Sequence, residues 1–240
     1  MRKMKVLGVE LRDYSVRESM KLVDRYLCDG LVSTIAFITK KGLMAANESP
    51  ETKEFMDAMD LTVAADADIL RAGGVTNWNR LREVENNEFL VEFFKKLVRG
   101  RKTVYLLAET AEKLGALESA LRKYQPGLQI CGGFSFDRLQ ADEDFLINEI
   151  NVASPNTLIS QLPSPRREEF FQNNHMKLNT ESWLILKEGM AYGPKSRNIL
   201  VRISDIFTKK IFNRELLRYS NSEKEITEKK ETTEKKPLTK

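Results

Sequence analysis

Thr103-Val104-Tyr105-Leu106-Leu107-Ala108 is the stretch on which the reading of the fold turns. Its apolar run is unbroken, with none of the polar alternation that a strand wetted on one side would show. It is therefore expected to be a strand covered on both faces. Thr110 follows as a helix cap, the helix is expected to run to Tyr124, and Pro126-Gly127 turns the chain into Leu128–Cys131. Strand, helix and strand in that order define a crossover unit.

The same alternation extends outward in both directions. Upstream, Met4–Leu11 reads as a strand and Ser15–Cys28 as a helix with Val16, Met20, Leu22, Val23 and Leu27 towards one side. Ser33–Thr39 is a second continuous apolar strand. Ser49-Pro50-Glu51 sets a capping hydroxyl, a proline at the first helical position and an acid at the positive dipole end, predicting a helix to about Met59. Leu61–Ala65 is a short strand, and a helix over Asn87–Arg99 buries Phe89, Leu90, Phe93, Phe94, Leu97 and Val98. Downstream, Asp142–Val152 is helical, Thr157–Leu162 a strand, Ser164-Pro165 a helix start in the Ser49-Pro50 manner, and Ser182–Lys187 the last strong strand. The pattern predicts an α/β fold: a Rossmann-like, mostly parallel sheet with helices on both faces.

Composition agrees with a soluble globular chain. Its 240 residues carry a formal net charge of +4, enough length for one large domain, expected over residues 1–203. No apolar run follows the basic Met1–Lys5 start, so no secretory signal is expected, and no stretch reaches the roughly 18–20 apolar residues that span a bilayer. The expected location is the cytoplasm. Cys28 and Cys131 lack CxxC companions and read as two buried thiols; His175, the single histidine, sits in a polar run and reads as a surface residue. Chemistry built on a histidine triad or a multi-histidine metal site is thereby set aside. Residues 204–219 interleave Ile206, Phe207, Ile211, Phe212, Leu216 and Leu217 with Lys209, Lys210, Arg214 and Arg218, a basic amphipathic helix that can lie on anionic lipid or pack on the domain or a partner. Residues 220–240 alternate Glu, Lys and Thr and read as a solvated, disordered tail whose charges nearly cancel, so no nucleic-acid partner is expected.

In such a sheet ligands sit beyond the carboxyl ends of the strands. Those ends carry Thr39-Lys40-Lys41, Asp66-Ala67-Asp68, Glu109-Thr110, Ser164-Pro165-Arg166-Arg167-Glu168 and Glu188-Gly189-Met190-Ala191-Tyr192. Arg166 and Arg167 beside a helix start can hold phosphate, or can simply be solvated on the first turn. Asp66-Ala67-Asp68 resembles the DxD that holds a metal against a sugar nucleotide, although acids after a strand commonly cap the next helix, and at least one is expected to do so. Glu109 puts negative charge where a phosphate would otherwise meet the helix, and no glycine-rich phosphate loop occurs there.

The order of these motifs resembles the WecG/TagA/CpsF group, glycosyltransferase family 26, over roughly Lys5 to Arg218. Val6–Leu11 with Ser15–Leu27 is similar to its first strand and helix. Phe37–Lys41 stands where the family ends a strand in Thr-x-Asn, Asp60–Asp66 resembles its "ADLVLPDG", and Val104–Ala108 with Leu121–Gly127 resembles "vfLlG … lrekyPgl". The best local match sets Ile147–Asn151 through Pro163–Glu168 beside "eeIn…p…lGsPkQE". The chain departs from the pattern at several places. The asparagine becomes Lys41, the glycine Pro163 and the glutamine Arg167; "GgafD" becomes Glu188–Tyr192 without its acid, and "GsD" reads Asn86-Asn87-Glu88.

The resemblance implies transfer of a sugar such as N-acetylmannosamine from a UDP-sugar to a lipid-diphosphate-linked sugar at the inner membrane face, with inversion and no metal or other cofactor. It carries Thr39 over directly and Asp66 with one residue inserted ahead of it, Ala65 taking the place without that shift; the expected catalytic residues are Thr39 with Asp66 or Asp68 as base, and the expected substrate-binding positions are Lys41, Ser164, Arg166, Arg167, Glu168 and Tyr192. It also implies membrane contact through the C-terminal helix and a homo- or hetero-oligomer with a family relative. The altered positions keep a second expectation beside this one, a catalytically inactive relative that serves an active enzyme as a partner subunit.

Overall fold

The computed structural model describes residues 2–28, 31–139, 143–187 and 208–222. In chain order the elements are β1 (Arg2–Val6), β2 (Val9–Asp13), α1 (Val16–Tyr26), β3 (Ser33–Ile38), α2 (Lys40–Glu48), α3 (Pro50–Asp57), β4 (Leu61–Ala64), α4 (Ala67–Ala72), α5 (Trp78–Glu85), α6 (Glu88–Arg99), β5 (Thr103–Ala108), α7 (Ala111–Tyr124), β6 (Gln129–Ser135), α8 (Glu143–Ala153), β7 (Thr157–Gln161), α9 (Arg166–Asn174) and β8 (Ser182–Ile185). A further helix spans residues 208–222.

Six strands form one sheet in the order β4-β3-β8-β7-β5-β6, every pair parallel. The apolar runs explain this. Along β3, Ile35 and Phe37 enter one core while Ala36 and Ile38 enter the other; along β5, Val104 and Leu106 oppose Tyr105 and Leu107 in the same way. Parallel strands must be joined by right-handed crossovers, so the direction of each step decides which face its helix covers. Steps towards β6 put α6 and α7 on one face, with Phe89, Phe93, Leu117 and Leu121 in its core. Steps the other way put α3, α8 and α9 on the opposite face, with Phe55, Ile147, Phe170 and Phe171. Trp183 on β8 anchors that second core: it is fully buried, lies against the rings of Phe170 and Phe171, and donates its indole N–H to Ser160 Oγ at 2.8 Å.

Several expectations are corrected. Met4–Leu11 is not one strand but an antiparallel hairpin, because Leu7 and Gly8 both take positive φ, as a two-residue hairpin turn demands. The expected strand Leu128–Cys131 continues to Ser135 as β6; Gly132 fits because a Cβ there would lie 2.5 Å from the Tyr105 ring. The short helices α2, α4 and α5 carry too few apolar turns to stand out in the sequence. Cys131 lies on the edge strand β6 and Cys28 just past α1, so both thiols are exposed rather than buried. His175 is half-buried, stacked on Phe171 with Nδ1 2.8 Å from that residue's carbonyl oxygen. The basic helix expected over 204–219 is helical from 208 to 222; residues 204–207 and the tail from 223 lie outside the described residues.

Trp183→Ala is expected to cost about 3–5 kcal/mol, read as a lower urea midpoint. Trp183→Phe should lose less, because a phenyl ring keeps part of the contact with Phe170 and Phe171; it still leaves a gap where the larger indole was and takes the donor from Ser160.

Candidate functional site

Because all six strands run the same way, their carboxyl ends share one edge of the sheet. Thr39 follows β3, Asp66 follows β4, and the Pro163–Glu168 turn follows β7, so these three segments share that edge. β3 and β4 are neighbours, whereas β7 lies two strands beyond β3, about 10 Å along the sheet.

At the β3–β4 end the side chains meet directly. Thr39 caps α2, its hydroxyl accepting the Gly42 N–H at 2.9 Å. The next residue, Lys40, is buried, with its ammonium 3.4 Å from Asp68 Oδ2 and 3.9 Å from Asp66 Oδ1. A buried ammonium is costly unless opposite charge meets it, so the two aspartates and Lys40 hold one another in place. Lys41, one residue on, is exposed.

The two aspartates differ in how much of them is engaged. Asp68 Oδ1 accepts from Arg71 Nη1 at 3.1 Å and from Lys209 Nζ of the C-terminal helix at 3.0 Å, in addition to Lys40 on Oδ2. Burial pushes the Asp68 carboxyl upward, but the Lys209 hydrogen bond and the charges of Lys40 and Lys209 outweigh it and leave the group below the ordinary aspartate value. Asp66 occupies the cap position of α4 yet makes no capping hydrogen bond through its side chain. Its carboxylate is 28 % exposed and has Lys40 as its ion-pair partner. The expected capping role therefore falls to neither acid.

The β7 end is organised differently. Ser164 does not cap α9 as Ser49 caps α3: Pro165 takes the cap position with helical dihedrals, so the helix starts one residue later and makes no side-chain cap. Arg166 is exposed, its guanidinium 5.2 Å from the Phe136 ring and 4.0 Å from Glu143. Arg167 is largely covered: its guanidinium sits 5.0 Å from the Phe55 ring and pairs with Glu168. Glu168 is buried, and among the described residues its Oε2 has no hydrogen-bond partner, nor has Arg167 Nε. Of the two expected phosphate ligands only Arg166 presents its charge to solvent.

The α7 start is closed to anions. Thr110 caps the Lys113 N–H, Asp137 Oδ2 accepts the Ala111 N–H at 2.9 Å, and Glu109 pairs with Lys113 at 2.5 Å. Two narrow clefts follow β4, both bordered by Tyr14, Ser19, Val63, Ala64 and Arg80; neither is lined by Thr39, Asp66 or the Pro163–Glu168 turn. Their walls are tied by Arg80, which bonds Asp13 at 2.9 Å and Glu83 at 3.2 Å. The chemistry of the carboxyl edge therefore outranks these clefts as a candidate site. Tyr192 and the Glu188–Tyr192 segment lie outside the described residues.

Sequence reasoning placed Lys40 only among the residues at the end of a strand and did not foresee the roles of Arg71 and Lys209. The signal for Lys40 was its position: it stands two residues past a strand buried along its whole length, at the first position of the helix that Thr39 caps. Lys209 is 141 residues from Asp68, and no local pattern marks such a contact.

A six-stranded parallel sheet flanked by helices on both faces, its carboxyl edge carrying carboxylates and cations, defines a Rossmann-like α/β domain. Residues 4–190 match the model of the glycosyl transferase WecG/TagA/CpsF family, and the chain belongs to that family. No curated protein matches it.

Asp68 also marks a pH dependence. Because folding lowers its carboxyl, the stabilisation it supplies is present above the unfolded aspartate value, about 3.9, and is lost as the pH falls through the lower folded value. Asp68→Asn should flatten the acid limb of a stability profile measured by urea unfolding from neutral pH downward. An acid limb identical to that of the wild type would remove Asp68 from this role.

Proposed function

We propose that this protein transfers an N-acetylhexosamine, such as N-acetylmannosamine, from a UDP-sugar to a lipid-diphosphate-linked sugar in cell-surface polysaccharide synthesis, with Asp66 as general base. The observation that carries the reading is Asp66 itself. It is a partly exposed carboxylate at the ligand-binding edge, released from capping duty and oriented by the buried Lys40.

The chemistry asks for few groups. Asp66 takes the proton of the acceptor hydroxyl as that oxygen attacks the anomeric carbon from the face opposite the diphosphate. The new C–O bond forms as the bond to the diphosphate oxygen breaks, inverting the centre, and the electron pair leaves with UDP. Lys41 and Arg166, the exposed cations of this edge, are suited to meet the leaving diphosphate. Thr39 fixes the start of α2, and so the placement of Lys40 and Lys41. Asp68 serves as the fixed anion that keeps Lys40 in place. Glu168 and Arg167 shape the β7 turn from within, next to exposed Ser164.

The acceptor's lipid places the reaction at a membrane surface. No helix among the described residues is long and apolar enough to cross a membrane. Contact then falls to the C-terminal helix, whose Phe212 is buried in the domain core while Ile211 and Leu217 face outward among Lys210, Arg214 and Arg218.

One observation favours a second reading. Arg167, which replaces the family's glutamine, is committed to Glu168 and Phe55, as expected of a relative that has given up donor binding and acts as partner subunit of an active enzyme. Calorimetric titration with UDP and UDP-N-acetylhexosamines separates the two readings. Saturable binding supports the transferase, and no heat at millimolar ligand supports the partner subunit. With a binding donor, Asp66→Asn should lower kcat by about 10²–10⁴-fold while UDP affinity changes little. Unchanged turnover would remove Asp66 as the base.

A further inference from the structure

We infer that the outward face of the β1–β2 hairpin is a second lipid-binding surface, continuous with the C-terminal helix and specific for an anionic bilayer. The inference rests on the membrane reading above and extends it to a part of the chain far from the helix in sequence.

The hairpin has two unlike faces. Met4, Val6, Val9 and Leu11 point inward and are buried, while Lys3, Lys5, Glu10 and Arg12 point outward and are exposed. In the pairing register Lys3 stands opposite Arg12. Two like charges directly across an antiparallel pair repel and weaken it, and the opposite-charge pair Lys5–Glu10 beside them does not relieve that. An arrangement that costs the free hairpin stability is one that a bound anionic surface would offset.

The helix lies alongside. Lys5 Nζ is 5.7 Å from the centre of the Tyr219 ring, and a Cβ on Gly8 at the hairpin turn would stand 3.1 Å from Tyr219 Oη. Lys210, Arg214 and Arg218 follow at helical spacing on exposed positions, with Ile211 51 % and Leu217 68 % exposed between them. Together the two adjoining elements expose Lys3, Lys5, Arg12, Lys210, Arg214 and Arg218, with Glu10 and Glu215 as the acids beside them. Cations interleaved with exposed Ile and Leu suit a headgroup layer that accepts both charge and apolar side chains. A nucleic-acid backbone would use the charges and leave Ile211 and Leu217 without a role.

The test is co-sedimentation of the full chain with phosphatidylcholine vesicles, with and without about 30 % phosphatidylglycerol, at low and high salt. Two double variants are compared with the wild type: Lys3→Gln with Arg12→Gln on the hairpin, and Lys210→Gln with Arg214→Gln on the helix. Each cation removed should weaken binding to the anionic vesicles about fivefold, so each double variant falls about 25-fold. The hairpin variant should meanwhile keep or raise its melting temperature, since it loses a repulsion, and this shows that it is folded. Hairpin-variant binding equal to wild type, with binding lost in the helix variant, overturns the inference and leaves the membrane reading standing. Wild-type protein that ignores anionic vesicles overturns both. Equal sedimentation with neutral vesicles, or tighter binding to a DNA duplex at the same salt, overturns the anionic bilayer as the occupant.

Discussion

Six strands that run the same way can be joined only by chain that climbs back across a face of the sheet, and this constraint arranges the molecule. Both faces must be covered, so the strands are apolar throughout, as in β3 and β5. Every strand also delivers its carboxyl end to the same edge. Residues far apart in the chain, Thr39, Asp66 and Glu168 among them, come to one edge, the first two through the direct pairing of β3 with β4 and the third after a strand two places along the sheet. The backbone supplies the gathering, and the side chains need only supply the chemistry.

Within that edge the electrostatics are self-contained. Lys40 is buried and has two carboxylates; Asp68 has three cations; Arg167 has Glu168 and an aromatic ring. Such networks hold geometry at the cost of desolvation, and removing one member leaves its partners uncompensated. Among the described residues Asp66 is the least engaged of these carboxylates, which is why the proposed base role is given to it and not to its better-connected neighbour.

The fold was legible because double-sided burial writes itself into sequence as unbroken apolar runs. Ser33–Ile38, Thr103–Ala108, Thr157–Gln161 and Ser182–Ile185 all carry that mark, and all became strands. What escaped was short or irregular. The Leu7-Gly8 turn is hidden because Leu is an unusual occupant of a positive φ, and α4 ends after six residues at Gly73-Gly74. The candidate site was legible to the extent that strand ends can be read: Thr39, Asp66 and Arg166 stand on the expected edge. Which charges pair could not be read. Lys40 and Arg167 look like free rim cations in one dimension, and only packing shows that each already has its counter-ion.

The bond from Lys209 to Asp68 joins the C-terminal helix to the edge that carries Asp66. A group shared between two events makes them thermodynamically reciprocal. Under the proposed function, an anion that drew Lys209 from Asp68 would loosen the seating of Phe212 and its helix, and a helix drawn aside by another surface would change the affinity of the edge for that anion by the same factor. One ammonium would thus couple the C-terminal helix to the proposed site, with a strength that can be measured from either end.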